Sequence, residues 1–195
     1  MVAVSAMYGV VGSASIREVL GSDVWQDMPG FTVAMALLVA VAAMTKSAQF
    51  PFQSWLPDAM AAITPVSAYL HAAAVVKAGI FLLFRFSPAF SDVLAWNVLL
   101  VSAGIVTAWI GGWCALTQND LKKLMAYSTV SQLGLIVAAV GVGTEFALTA
   151  GLVHVISHAM FKSGLFMMVG VVDHLGHTRT FGAVSYTHLT LPTTP

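Results

Sequence analysis

The sequence predicts an all-α fold, a polytopic bundle of transmembrane helices that includes one proline-broken helix, and three observations carry that prediction. Only 8% of the 195 residues are charged, 58% are hydrophobic, and the mean hydropathy is +0.88. Long windows hold no Asp, Glu, Lys or Arg: Asp27 to Lys46, Asp58 to Lys77, Asp92 to Asp120 and Lys123 to Glu145, each 18 residues or more. Helices of about 17 to 25 apolar residues cross a bilayer core, so four spans follow from these windows alone. The third observation is the pair Pro51 and Pro57, placed where the first of these helices would continue. Balanced charge, eight basic against eight acidic residues, argues against a nucleic-acid binder or a disordered tail.

In chain order, residues 1–12 read as the end of a further span. Residues 13–30 carry Arg17, Glu18, Asp23, Trp25, Asp27 and Pro29 and read as a loop with a short interfacial turn. Helix begins near Phe31. Pro51 and Pro57 lack an N–H and would free the carbonyls of Ser47 and Gln53, so a broken helix is expected. Freed backbone groups at membrane depth need protein or a watery cavity around them, which makes residues 46–57 a candidate interior site, with Lys46 pointing into protein. An interfacial helix end closing near Lys46 is the alternative. Thr64 as cap and Pro65 at the first turn start the next helix, expected to run to about Phe86. Another follows from Asp92 to Leu116. Asn119 and Asp120 cap a helix that continues to Val140, before the Gly141/Gly143 break. The last span, about 146–172, opens near Glu145 and is interrupted only by two histidines and Lys162. Lys122 and Lys123 place the 117–123 loop in the cytoplasm. The single cysteine, Cys114, rules out an internal disulfide framework. Without a Gly/Ser or Pro-rich linker, residues 1–184 read as a piece of one transmembrane domain, about five full spans plus a truncated one. The closing SYTHLTLPTTP, residues 185–195, breaks every pattern before it and is expected to be foreign to the protein.

The chemistry lies in HVISHAMFK, residues 154–162. A four-residue step advances a side chain by only about 40° around a helix, so His154, His158 and Lys162 form a ladder roughly 12 Å long on one face. Ionisable groups at membrane depth face the bundle interior and commonly mark proton or ion paths. The spacing of the histidines would suit two zinc ligands, but neither the Glu of a HExxH pattern nor an obvious third ligand is at hand. Histidines bonded across helices, beside a snorkelling lysine, are the structural alternative. Lys46 precedes the expected break, where helix-end carbonyls favour a cation and desolvation opposes one. Lys77 sits mid-span, six residues after His71, too deep for easy snorkelling. Lys46, His71, Lys77, His154, His158 and Lys162 make a set of proton acceptors without a nucleophile, phosphate loop or cofactor motif. The pattern points to transport before catalysis, with no catalytic residue, cofactor or metal expected.

Four stretches together resemble a known superfamily: KSAQFPFQSWLPDAM (46–60), TPVSAYLHAAAVVKAGIFLL (64–83), QNDLKKLMAYSTVSQLG (118–134) and HVISHAMFKSGLF (154–166). They are similar to the antiporter-like membrane subunits shared by multisubunit Na⁺/H⁺ (Mrp-type) antiporters and respiratory NADH:quinone oxidoreductase. Lys77 in VVKAG and the closing GVVDHLGHTRTF look most like the large antiporter subunit of the A type; subunit 5 of the respiratory enzyme is the runner-up, and a structural membrane scaffold a third reading. The resemblance implies a proton half-channel on a broken helix. Lys46 would be the lysine beside the break, Lys77 and His71 the neighbouring helix, and His154, His158 and Lys162 the connection to a partner half-channel. It also implies a multi-pass protein of the cell (inner or plasma) membrane, with other membrane subunits as partners and protons and monovalent cations as cargo. The family's glutamate partner for Lys46 is expected upstream of Met1, and the second half-channel lysine beyond the C-terminus.

Overall fold

The computed structural model describes residues 1–61, 63–70, 74–176 and 180. Helices dominate the described residues: α1 (Val2–Val11), α2 (Ile16–Leu20), α3 (Val24–Asp27), α4 (Pro29–Lys46), α5 (Trp55–Asp58), α6 (Thr64–Ala68), α7 (Val75–Phe90), α8 (Leu94–Leu116), α9 (Leu121–Val142) and α10 (Glu145–Gly176), with a 3₁₀ turn at Ala59–Ala61. Four are long and apolar enough to cross a membrane: α4, α8, α9 and α10. The segment expected as a loop holds α2 and α3, and is tied down where Trp25 Nε1 donates to the Val19 carbonyl at 2.7 Å.

Bare helix surfaces set the closest packing in the bundle. A Cβ on Gly134 of α9 would lie 2.6 Å from Ala108 N and from Gly104 O of α8, and one on Gly111 would lie 2.6 Å from Ser131 N. Without a water-driven force between helices in lipid, such close backbone approach is what holds neighbours together. The outer face of α8 exposes Val98, Ile105, Trp109 and Trp113. That stripe suits contact with lipid chains and, at Trp113, with the membrane interface.

The start of α9 is fixed locally, as its sequence implied. Asp120 Oδ1 accepts from Lys122 N at 2.8 Å and from Lys123 N at 3.2 Å, answering two of the helix's orphan donors. Asp120→Ala is expected to cost about 1 kcal/mol of stability. The check is a thermal unfolding midpoint in detergent, with Asp120→Asn, which keeps an acceptor oxygen, recovering most of the loss.

Around the two prolines the structure departs from the expected route. Helix α4 stops at Lys46, well ahead of Pro51. Ala48 adopts a left-handed φ of 53°, and Gln49 N bonds back to the Met44 carbonyl at 2.9 Å, a helix-ending pattern that needs no proline. Pro51 follows in a turn with a cis peptide bond, and Pro57 sits inside the four-residue α5. The carbonyls expected to be orphaned find partners: Gln49 Nε2 donates to Ser47 O at 3.0 Å, and Leu56 N to Gln53 O at 3.3 Å. Phe50 N donates to Thr107 Oγ1 at 2.8 Å. Thr107 lies well inside α8, about 20 Å from its start, so the irregular segment reaches membrane depth and is satisfied there by protein.

The helix expected from Thr64 to Phe86 is described on either side of residues 71–73, which lie outside the described residues. Ile63 rather than Thr64 is the N-cap, α6 ends at Ala68, and α7 starts at Val75. Past Ala68 the chain stays helical as a π turn at 69–70.

Candidate functional site

Helix α10 turns one stripe inward. Gly151, His158, Lys162, Phe166 and Val169 are buried on it, while Leu152, Ile156, Met160 and Met168 are exposed. His158 is 0% exposed and Lys162 2%. His154, half-buried, has Nε2 2.8 Å from Gln132 Oε1 of α9. The Lys162 ammonium donates to the Met125 carbonyl at 3.2 Å and to the Ser128 hydroxyl. Ser128 Oγ and Thr129 Oγ1 donate to that same carbonyl at 3.0 and 2.9 Å. A carbonyl that accepts from two hydroxyls and an ammonium is a strongly polar point in an apolar bundle. The His158 ring packs edge-on to Phe161, centroids 5.3 Å apart.

Lys77 opens the next part of the arrangement. It is half-buried and lines a cavity of about 410 Å³ with Phe84 and Arg85 of α7 and Leu152 and Val155 of α10. On α10 the wall of this cavity is the turn that bears His154. Two residues on, a Cβ on Gly79 would lie 2.5 Å from Ala43 O and 3.0 Å from Ser47 N, so the start of α7 seats directly on the end of α4. Lys46 is the last residue of α4. Titratable groups therefore follow one another across the bundle, from the end of α4 through the start of α7 to the α9/α10 contact.

Two expectations meet a different outcome. Lys46, expected to point into protein, has an exposed side chain: the start of α7 covers the Ala43 and Ser47 side of that last turn and leaves Lys46 on the open side. His71 lies outside the described residues, as does the 185–195 tail.

The sequence alone did not indicate Gln132, Ser128 and the Met125 carbonyl as partners of the ladder, or Thr107 as partner of the break. A signal for two of them was present. Ser128 and Gln132 are four residues apart in the polar stretch YSTVSQ of α9, the same spacing as the ladder they meet.

Four helices long and apolar enough to cross a membrane, an irregular segment satisfied by α8 and a His158/Lys162 pair buried on α10 define a polytopic helical membrane protein. The chain belongs to the NADH:quinone oxidoreductase/Mrp antiporter transmembrane family, which matches residues 1–194. It is 48% identical over 171 residues to the probable K⁺/H⁺ antiporter A/B subunit of Rhizobium meliloti, covering 87% of this chain and 17% of that protein. It is 46% identical over 190 residues to the Na⁺/H⁺ antiporter A subunit of Alkalihalophilus pseudofirmus, covering 90% of this chain and 24% of that one. Among solved structures, the Mrp complex from Dietzia sp. DQ12-45-1b superposes with a TM-score of 0.90 at 57% identity, over 91% of this chain and 20% of the matched one. The membrane-bound sulfane sulfur reductase, an archaeal respiratory membrane complex, gives 0.83 at 29% identity, over 93% of this chain and 38% of that one. The chain thus spans roughly a fifth of the length of its antiporter relatives.

Proposed function

We propose that the chain is the proton-transfer part of the large A-type subunit of a multisubunit monovalent cation (Na⁺)/proton antiporter in the cell (inner or plasma) membrane, assembled with other membrane subunits. One observation carries this reading. A histidine and a lysine are buried in a membrane helix, and the lysine is bonded to α9 through groups that have hydrogen bonds of their own. A charge held at that depth is expensive, and the groups that hold it, the Met125 carbonyl and the Ser128 hydroxyl, are neutral. Lys46, Lys77, His154, His158 and Lys162, with His71 added from sequence, serve as stations that take up and release protons in turn. Identity of 46 to 48% to antiporter relatives of the A type, against 29% to a respiratory complex, favours the antiporter over a pump driven by a distant redox reaction.

The test is Lys162→Met in the full-length protein within its complex. Methionine fills the same volume without a proton-binding group, so pH-gradient-driven cation exchange in membrane vesicles should fall on the order of a hundredfold. The protein level on an immunoblot should stay near wild type. Near-normal exchange would exclude Lys162 as a station and support a scaffold role.

A further inference from the structure

The four-residue step that aligns His154, His158 and Lys162 continues beyond them, through Phe166 and Gly170 to His174. Each step also turns the line by about 40°, so over about 30 Å it winds around the helix and brings His174 to a different side from His154. Phe166, one turn past Lys162, is fully buried and packs with Met60, Ala68, Ala126 and the partly buried Met125. It closes Lys162 off from that end of the bundle with methyl, thioether and phenyl surface. One turn further the stripe has no side chain: a Cβ on Gly170 would meet Thr64 Cγ2 at 3.0 Å, and the space beyond opens into a cavity of about 740 Å³. Thr64, Lys122, Asp173 and His174 contribute to its wall, and Lys122 is only 3% exposed. A hydroxyl, an ammonium, a carboxylate and an imidazole around a roomy space hold water, whereas the apolar cluster at Phe166 does not. The cavity lies where α9 begins and α10 ends, at the face of the bundle that bears Lys122 and Lys123.

Building on the proton-transfer reading above, we propose that this cavity is the aqueous mouth of the path to Lys162, with Asp173 and His174 as the groups that exchange protons with bulk water and Phe166 as the barrier between mouth and ladder. In an inward transfer the His174 imidazolium gives its proton to cavity water and becomes neutral imidazole. The proton passes the Phe166 constriction to the neutral Lys162 amine, which becomes ammonium, and His174 is reloaded from bulk.

Two measurements on the complete complex in membrane vesicles test this. Phe166→Ala removes the barrier, so an imposed pH gradient, followed with a fluorescent amine in the absence of transported cation, should decay several-fold faster than in wild type. Phe166→Leu, which keeps the site filled, should restore the slow decay, and adding Lys162→Met to Phe166→Ala should suppress the leak. Separately, in a Cys114→Ser background, Met167→Cys lines the cavity and should react with a charged, membrane-impermeant methanethiosulfonate from the Lys122 side, while Met168→Cys, outside the cavity wall, should not. An unreactive Met167→Cys overturns the mouth whatever transport does. A wild-type decay rate in Phe166→Ala, with the complex present at normal level, overturns the barrier. Should Phe166→Ala fail to assemble, the labelling decides alone. The underlying reading fails by a different sign: exchange that survives Lys162→Met.

Discussion

Lys46→Arg is expected to abolish coupled exchange while leaving the complex assembled. Lys46 ends α4 beside a break that is buried at Ser47, Ala48 and Gln49, where helix-terminal carbonyls favour a positive charge. Arginine keeps that charge, and because the side chain is exposed at this position the larger guanidinium has room. Arginine also stays protonated, with a pKa above about 12, and so cannot hand a proton on. A positioned proton acceptor contributes on the order of 10² to 10⁴ in rate, so exchange driven by a pH gradient should fall by at least that lower figure in Lys46→Arg and equally in Lys46→Ala. A lysine needed only for its charge would separate the two variants, with arginine active and alanine not. Normal exchange in Lys46→Arg, with the protein at its normal level, would remove Lys46 from the set of proton stations.

The largest expected loss of stability is at Gly134. Its missing Cβ lets α9 lie on the backbone of α8, with Ala108 N and Gly104 O each 2.6 Å from where that carbon would sit. Those neighbours are main-chain atoms and cannot rotate aside. Gly134→Leu must push the two helices apart, at a cost of about 3 kcal/mol, enough to lower the thermal midpoint of the detergent-purified protein by several degrees and to deplete it from the membrane. Gly112→Ala is the matched control. A Cβ there meets only Ser131 Oγ at 3.6 Å, ordinary contact, and alanine's better helix propensity should leave stability unchanged or slightly raised. If Gly134→Leu melts with the wild type, the close α8/α9 approach is not what holds this pair.

The family resemblance was legible because its motifs carry the chemistry itself: a lysine ahead of two prolines, a lysine in VVKAG and the His/His/Lys ladder. Their neighbours were less so. Lys162 meets Ser128, 34 residues earlier, and His154 meets Gln132, 22 residues earlier. Spacing on α10 states which face the ladder occupies, but the register of α9 against it follows from how glycine, serine and alanine surfaces nest along the whole bundle.

What the sequence by itself determined is what short-range physics decides. Charge-free windows set α4, α8 and α9, because lipid admits only apolar helices of sufficient length. Asp120 set the start of α9, because an N-cap acts within three residues. The four-residue step put His158 and Lys162 on one buried face of α10, because helical geometry is local. Tertiary structure alone decided where α4 ends. Two prolines mark the neighbourhood of the break, yet the chain leaves the helix earlier, at Ala48, and its Phe50 amide is satisfied by a Thr107 hydroxyl 57 residues away. It also decided that the last turn of α4 leaves Lys46 exposed on this chain. A buried amide must find an acceptor, and which one it finds depends on helices packed together in space, a fact that neighbouring residues in sequence do not contain.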